Sequence, residues 1–224
     1  MSSIAKKFGK LEKQLQKLNI TLDRLIEDVK QVQEASSKID YATSLNYLKN
    51  LGEVLLTGTS PFYIIIQQFS TKEYKNVVKV FTDSDIFNVI AINNPSEDYI
   101  SNHNILSVII ADSQKFGESI IPTIINLRFS AFPSFYDDTT VFIGNRYLHD
   151  TKGVLEKLFT KLENKGFTVL YDEKDFGGGP FVYQAINQFG PVPRVSIFEI
   201  TVSEKLINMV DKLESIYKVF VTVM

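Results

Sequence analysis

The chain opens on an apolar and polar alternation that does not slip. Ile4, Phe8, Leu11, Leu15, Leu18, Leu22, Leu25, Val29 and Val32 are separated by steps of 4, 3, 4, 3, 4, 3, 4 and 3. That is the period of a left-handed coiled coil. Lys, Gln, Glu, Asp, Asn and Arg fill the positions between, as solvated flanks require, and no proline interrupts the run. A helix from Ile4 to Ser36 would be roughly 50 Å long. A seam this narrow cannot bury itself and needs a partner helix. Residues 1–40 are therefore read as a coiled-coil helix and the chain as a homo-oligomer. The alternative is a helix laid along its own globular domain. Leu dominates both seam registers, which leaves the oligomer number open. Lys6, Lys7, Lys10, Lys13 and Lys17 make the first half basic, and Asp23, Glu27 and Asp28 make the second half acidic. Antiparallel pairing or an acidic partner could use that asymmetry, and a solvated face also explains it.

A second helical pattern covers Tyr41–Leu56, with Leu45, Leu48, Leu51, Val54 and Leu55 on one side. It stops at Thr57-Gly58-Thr59-Ser60-Pro61, so residues 41–60 read as helix and linker. Beyond it the pattern shifts to short apolar runs broken by turn residues. Strands are expected at Phe62–Phe69, Ile86–Asn93, Ile105–Ala111 and Thr123–Phe129, with helices after Ser70 and around Ser113–Ile121. In the second half, strands are expected at Thr140–Asn145, Phe167–Asp172, Arg194–Thr201 and Val219–Val223. Helices are expected over Thr151–Lys165 and from Ser203 to Tyr217. Each half, 61–130 and 139–224, then reads βαββαβ. The expected fold class is α+β, two ferredoxin-like halves behind a coiled coil. If Gly179–Gln188 is instead a helix, the second half becomes a Rossmann-like α/β unit.

Composition narrows the chemistry. Apolar residues make up 44% of the 224, enough for a real core, and charged residues only 22%. A net charge of −2 disfavours a protein devoted to neutralising phosphates, although a local basic patch remains open. Without cysteine there is no disulfide, thiolate metal site or cysteine nucleophile. The two histidines, His103 and His149, lie far apart in sequence, which disfavours a histidine metal site. The first residues lack the apolar run of a signal peptide, and no stretch approaches a membrane span. A cytoplasmic or otherwise intracellular location is expected, with no membrane partner and no secretion.

Val141-Phe142-Ile143-Gly144-Asn145 resembles the first-strand ribonucleoprotein motif of RNA-recognition-motif domains. The resemblance implies that Phe142 stacks on a base, with Asn145, Arg146, Arg194, Val195 and Ile197 completing a nucleic-acid or partner face. The match departs on the third strand. There Pro193-Arg194-Val195-Ser196-Ile197 puts Val195 and Ile197 where that family has aromatics, which suggests a sheet face covered by protein. The run VFIG, a helix, GFTVLYDE and a glycine stretch resembles the opening of TIR domains, some of which cleave NAD. The nearest counterparts of that family's catalytic glutamate, Asp211 and Glu214, lack its neighbours.

Gly177-Gly178-Gly179 is followed by Pro180 and not by Lys-Ser/Thr, so it is a turn and not a phosphate loop. Asp83/Asp85, Asp137/Asp138 and Asp172/Glu173/Asp175 lack EF-hand spacing. Neither histidine lies near a Gly-x-Ser-x-Gly elbow. No catalytic residue, metal or cofactor is assigned. The expectation is a non-enzymatic assembly protein whose partners are itself, another protein or RNA.

Overall fold

Runs of β-branched and aromatic residues build a single seven-stranded mixed sheet in the computed structural model of the chain. The structure describes residues 41–67, 74–82, 85–93, 99–117, 120, 122–146, 153–173, 176–189 and 196–223. The chain divides into two units, Met1–Asp40 and Tyr41–Met224. All nine seam positions, Ile4 to Val32, lie outside the described residues, as do Arg194 and Val195.

The strands are β1 Gly52–Leu55, β2 Phe62–Gln67, β3 Asn88–Ile92, β4 Thr123–Ser130, β5 Thr140–Gly144, β6 Thr168–Tyr171 and β7 Ser196–Ser203. Their order across the sheet is β1-β3-β2-β4-β7-β5-β6. Strands β3, β2, β4 and β7 run parallel. Strand β1 pairs antiparallel with β3, and β5 pairs antiparallel with β7 and parallel with β6. The four central parallel strands are nearly continuous apolar runs because both faces are covered. The two edge strands have four residues each, which limits the open hydrogen-bonding edge.

Among the described residues, six α-helices complete a three-layer sandwich: α1 Tyr41–Leu51, α2 Tyr74–Thr82, α3 Tyr99–Ser113, α4 Val154–Glu163, α5 Pro180–Phe189 and α6 Val210–Val223. Val77 and Phe81 of α2, Leu158 and Leu162 of α4, and Ile216 and Phe220 of α6 pack on one face, against Ile64, Leu127, Ile143 and Ile200. Leu48 of α1, Ile105 and Ile109 of α3, and Phe181 and Ala185 of α5 pack on the other, against Ile65, Ile90, Ile124 and Ile197.

This architecture replaces the expected pair of ferredoxin-like halves. Two expected strands are helical. Ile105–Ala111 lies inside α3, and Val219–Val223 is the last turn of α6. Both runs are almost wholly apolar, so no alternation distinguishes a buried helix from a buried strand. In α6 the buried residues Leu213, Ile216, Val219, Phe220 and Val223 recur at helical spacing. The expected Tyr41–Leu56 helix stops at Leu51, where β1 begins at Gly52. The short expected helix around Ser113–Ile121 shrinks to a 3₁₀ turn, Gln114–Phe116.

A helix does occupy Pro180–Phe189, as the Rossmann-like alternative requires. That unit is nonetheless absent. The chain ends in a helix and not a strand, and β7 sits between β4 and β5, welding the two halves into one sheet. Among the described residues, no helix is long and apolar enough to cross a membrane.

Candidate functional site

Strand alternation puts Ile65, Ile124 and Ile197 on the α1/α3/α5 face of the sheet. The same alternation sends Gln67 of β2, Asn126 and Arg128 of β4, and Glu199 and Thr201 of β7 to that face. Gln67, Arg128, Thr201 and Phe142 are neighbours across the strands, and so are Ile65, Asn126, Glu199 and Gly144. A patch of polar side chains therefore interrupts an otherwise apolar layer. Gln67, Asn126, Glu199 and Thr201 are all buried, as are Asn102 on α3 and Gln184 on α5.

Glu199 is the centre of the patch. Its side chain is 2% exposed and its Oε1 lies 3.6 Å from Nη1 of Arg128, whose side chain is 30% exposed. That separation is an ion pair longer than a hydrogen bond. Nδ2 of Asn126 donates to Oε2 of Glu199 at 3.2 Å. Nε2 of Gln67 donates to Oδ1 of Asn102 at 3.4 Å. Among the described residues, Oδ1 of Asn126 and Oγ1 of Thr201 are buried without a hydrogen-bond partner. Such atoms are uncommon and costly in a folded interior. Beside Asn102, burial lowers the pKa of His103, disfavouring its charged form.

The glycine loop roofs this patch. A β-carbon on Gly179 would stand 2.7 Å from Oε2 of Glu199 and 3.3 Å from Nη1 of Arg128. Below it, Gly144 at the end of β5 packs directly on the backbone of Phe176, Gly177 and Gly178. Asp172, buried and at φ 46°, accepts the backbone N–H groups of Asn145 (2.9 Å) and Arg146 (3.2 Å) through Oδ1. Arg146, at φ 55°, also donates its N–H to the carbonyl of Gly177, and its guanidinium lies over the exposed ring of Tyr183. The three glycines are thus a turn, but a turn fastened to the sheet and followed at once by α5.

The expected nucleic-acid face is dispersed. Phe142 is 1% exposed. Its ring stacks on Phe176 at 4.0 Å between centroids and meets the edges of Phe132 and Tyr136 at 5.1 and 4.9 Å. No open ring face remains for a base. Ile197 is a core residue against α5 and Ile124, and Asn145 is buried under the hydroxyl of Tyr171, which donates to it at 2.6 Å. Arg146 alone of the described members is exposed. Asp211 and Glu214 lie on the exposed side of α6, with Glu214 paired to Lys218. Among the described residues, no three acidic or histidine side chains converge as metal ligands.

The sequence reading missed Gln67, Asn126, Arg128, Glu199 and Thr201. A signal existed. In Thr123–Phe129 and Ser196–Thr201 the polar residues beyond the first fall on one parity, Asn126 and Arg128 in one strand, Glu199 and Thr201 in the other.

No family model matches the chain, and no curated protein matches it. Among solved structures, it is similar to gene product Atu2144 from Agrobacterium tumefaciens, at 11% identity and a TM-score of 0.48, over 76% of this chain and 90% of that one. It is also similar to a bacteriophage poly-gamma-glutamate hydrolase (12% identity, TM-score 0.39, 77% and 89% covered). A third is isoform 2 of uridine phosphorylase from Schistosoma mansoni (8% identity, TM-score 0.42, 71% and 84% covered). Likeness at this level carries no argument about function.

Proposed function

We propose that the chain is a self-associating assembly protein in which the N-terminal seam joins copies of the α/β domain. The observation that carries this reading is the nine-position heptad run, which has no partner in its own sequence of comparable length and period. The character of the α/β domain supports it. Both faces of its sheet are covered by its own helices, so recruitment through open sheet faces has no place there. Its large exposed apolar side chains, such as Phe135 in the β4–β5 loop, Ile100 on α3 and Tyr183 on α5, sit on different segments. Scattered side chains of that kind are ordinary for a monomeric surface. The pressure to associate is therefore concentrated in residues 1–40. The test is the solution mass of the intact chain beside that of a chain beginning at Tyr41. The intact chain is expected to be a multimer and the shortened one a monomer; equal, monomeric masses would overturn the reading.

A further inference from the structure

The two helical layers differ in charge. On one face of the sheet, α2 carries Lys75 and Lys79, and α4 and α6 carry four charged residues each. A solvated helix face is ordinarily charged in this way. On the other face, α5 has no Asp, Glu, Lys or Arg in its 10 residues, and α1 has only Lys49. The 15 residues of α3 include only Asp112, whose side chain is 10% exposed and paired with Lys115. Among the described residues of these three helices, Lys49 alone is an exposed ionised side chain.

In place of charges this layer presents amides such as Asn46, Asn50 and Asn187, with Ile100 of α3 62% exposed and Tyr183 of α5 58% exposed. Helix α3 packs beside both α1 and α5, so the three helices form one continuous layer. The guanidinium of Arg146 lies over the Tyr183 ring at its border. Charge depleted while Tyr and Arg remain is the composition of an interface centre. The apolar side chains are too few to drive association alone. The lack of charge is what sets the layer apart.

Two observations choose the occupant. Only residues 33–40 separate the last seam position, Val32, from Tyr41, the first residue of α1. Copies joined by the seam therefore hold their α1/α3/α5 layers on short tethers, at an effective concentration on the order of 1 mM. An uncharged face can also meet its own copy about a twofold axis without burying ions, whereas the α2/α4/α6 layer would have to desolvate its charges.

We propose that in copies joined by the seam the α1/α3/α5 layers of two domains pack on each other, with Ile100 and Tyr183 in the contact. This inference rests on the self-association reading above and adds to it which surface of the domain faces the second copy. The seam supplies the proximity, so a domain without the seam stays monomeric.

The chain has no cysteine, so a single introduced thiol reports on one surface. Asn187→Cys places it on the exposed side of α5, one turn from Tyr183, and Lys157→Cys places it on the exposed side of α4. Each is made in the intact chain and in the intact chain carrying Leu15→Lys/Leu22→Lys. The rate of labelling by a maleimide is measured, with the mass taken by light scattering. With the seam intact, Asn187→Cys should label about tenfold slower than with the seam substituted, the ratio for a face closed about nine-tenths of the time. Lys157→Cys should label at the same rate in both. Adding Tyr183→Glu to Asn187→Cys should restore fast labelling while the multimer mass stays. Equal rates for Asn187→Cys in the two chains, with the intact one a multimer, overturn the layer contact and leave the seam standing. Slow labelling in both chains overturns it as well, because the cover is then the chain's own. So does slow labelling that survives Tyr183→Glu. A monomeric intact chain overturns self-association and the layer contact together.

Discussion

Gly179 lies directly over Glu199, so close that a β-carbon at residue 179 would come within 2.7 Å of the carboxylate. The glycine turn, the end of β5 and the buried ion pair on β4 and β7 are thus one packed unit. Gly179→Ala should destabilise the fold by about 1–3 kcal/mol, because the carboxylate must shift off its partners. Gly144→Ala should cost more. Its β-carbon would overlap main-chain atoms of Phe176, Gly177 and Gly178, which cannot rotate away as a side chain can. Urea unfolding midpoints of the two variants check the order; a larger loss for Gly179→Ala would contradict this packing.

The Arg128–Glu199 pair should respond asymmetrically to loss of either partner. Arg128→Met takes the cation away from a carboxylate that is 2% exposed and should cost roughly 3–5 kcal/mol. Glu199→Gln leaves a guanidinium that is 30% exposed and can turn to water, so its cost should be smaller, about 1–2 kcal/mol. Chemical denaturation of both single variants and the double variant gives the comparison. Equal costs would mean that Glu199 is better solvated than its burial indicates.

On the opposite end of the strands, Asn88 ties the β1–β2 linker to the sheet. Its Oδ1 accepts from the N–H of Gly58 and from Lys115, and its Nδ2 donates to the carbonyls of Ser60 and Phe62. Asn88→Asp keeps the acceptor and turns the donor into a second acceptor facing two carbonyl oxygens. A loss of roughly 2–4 kcal/mol is expected from the buried mismatch, read from the thermal or urea midpoint. A variant as stable as the wild type would show that the linker is held by other contacts.

Alkaline pH should weaken the fold through Tyr63. Burial, and then its 2.6 Å hydrogen bond to Asp112, push its phenol above the ordinary 10.0. Below that value both folded and unfolded chains keep the proton, and the contribution is fully present. Above it the unfolded chain ionises first, so stability falls as pH rises. Tyr63→Phe should lose about 1–2 kcal/mol near neutral pH with the hydrogen bond, and should fall less steeply above pH 10. Melting temperatures of both proteins across that range decide it; parallel slopes would assign the alkaline loss to other groups.

The legible parts of this fold were those with contrast. Phe62–Gln67, Thr123–Ser130 and Thr140–Gly144 are bounded by Gly, Pro, Ser or Asp, and amphipathic α4 shows Val154, Leu158 and Leu162 against charged neighbours. Contrast is missing in Ile105–Ala111 and Val219–Val223, which are almost wholly apolar, so tertiary burial sets the conformation. Strand order was beyond reach for a different reason. The insertion of β7 between β4 and β5 is a long-range pairing with no local trace. The same pairing creates the polar patch, since Asn126 and Glu199 are 73 residues apart in sequence. Phe142 shows the converse: a motif-like pentapeptide can be a core strand once Phe132, Tyr136 and Phe176 close over it.

The most direct measurement is the molar mass of the intact chain by light scattering, with Leu15→Lys/Leu22→Lys beside it. Self-association through the seam predicts a whole multiple, two or more, of 25.5 kDa for the wild type. It predicts 25.5 kDa, with unchanged secondary structure in the α/β domain, for the double variant. A wild-type mass of 25.5 kDa up to about 100 μM, or a multimer that survives both substitutions, contradicts it.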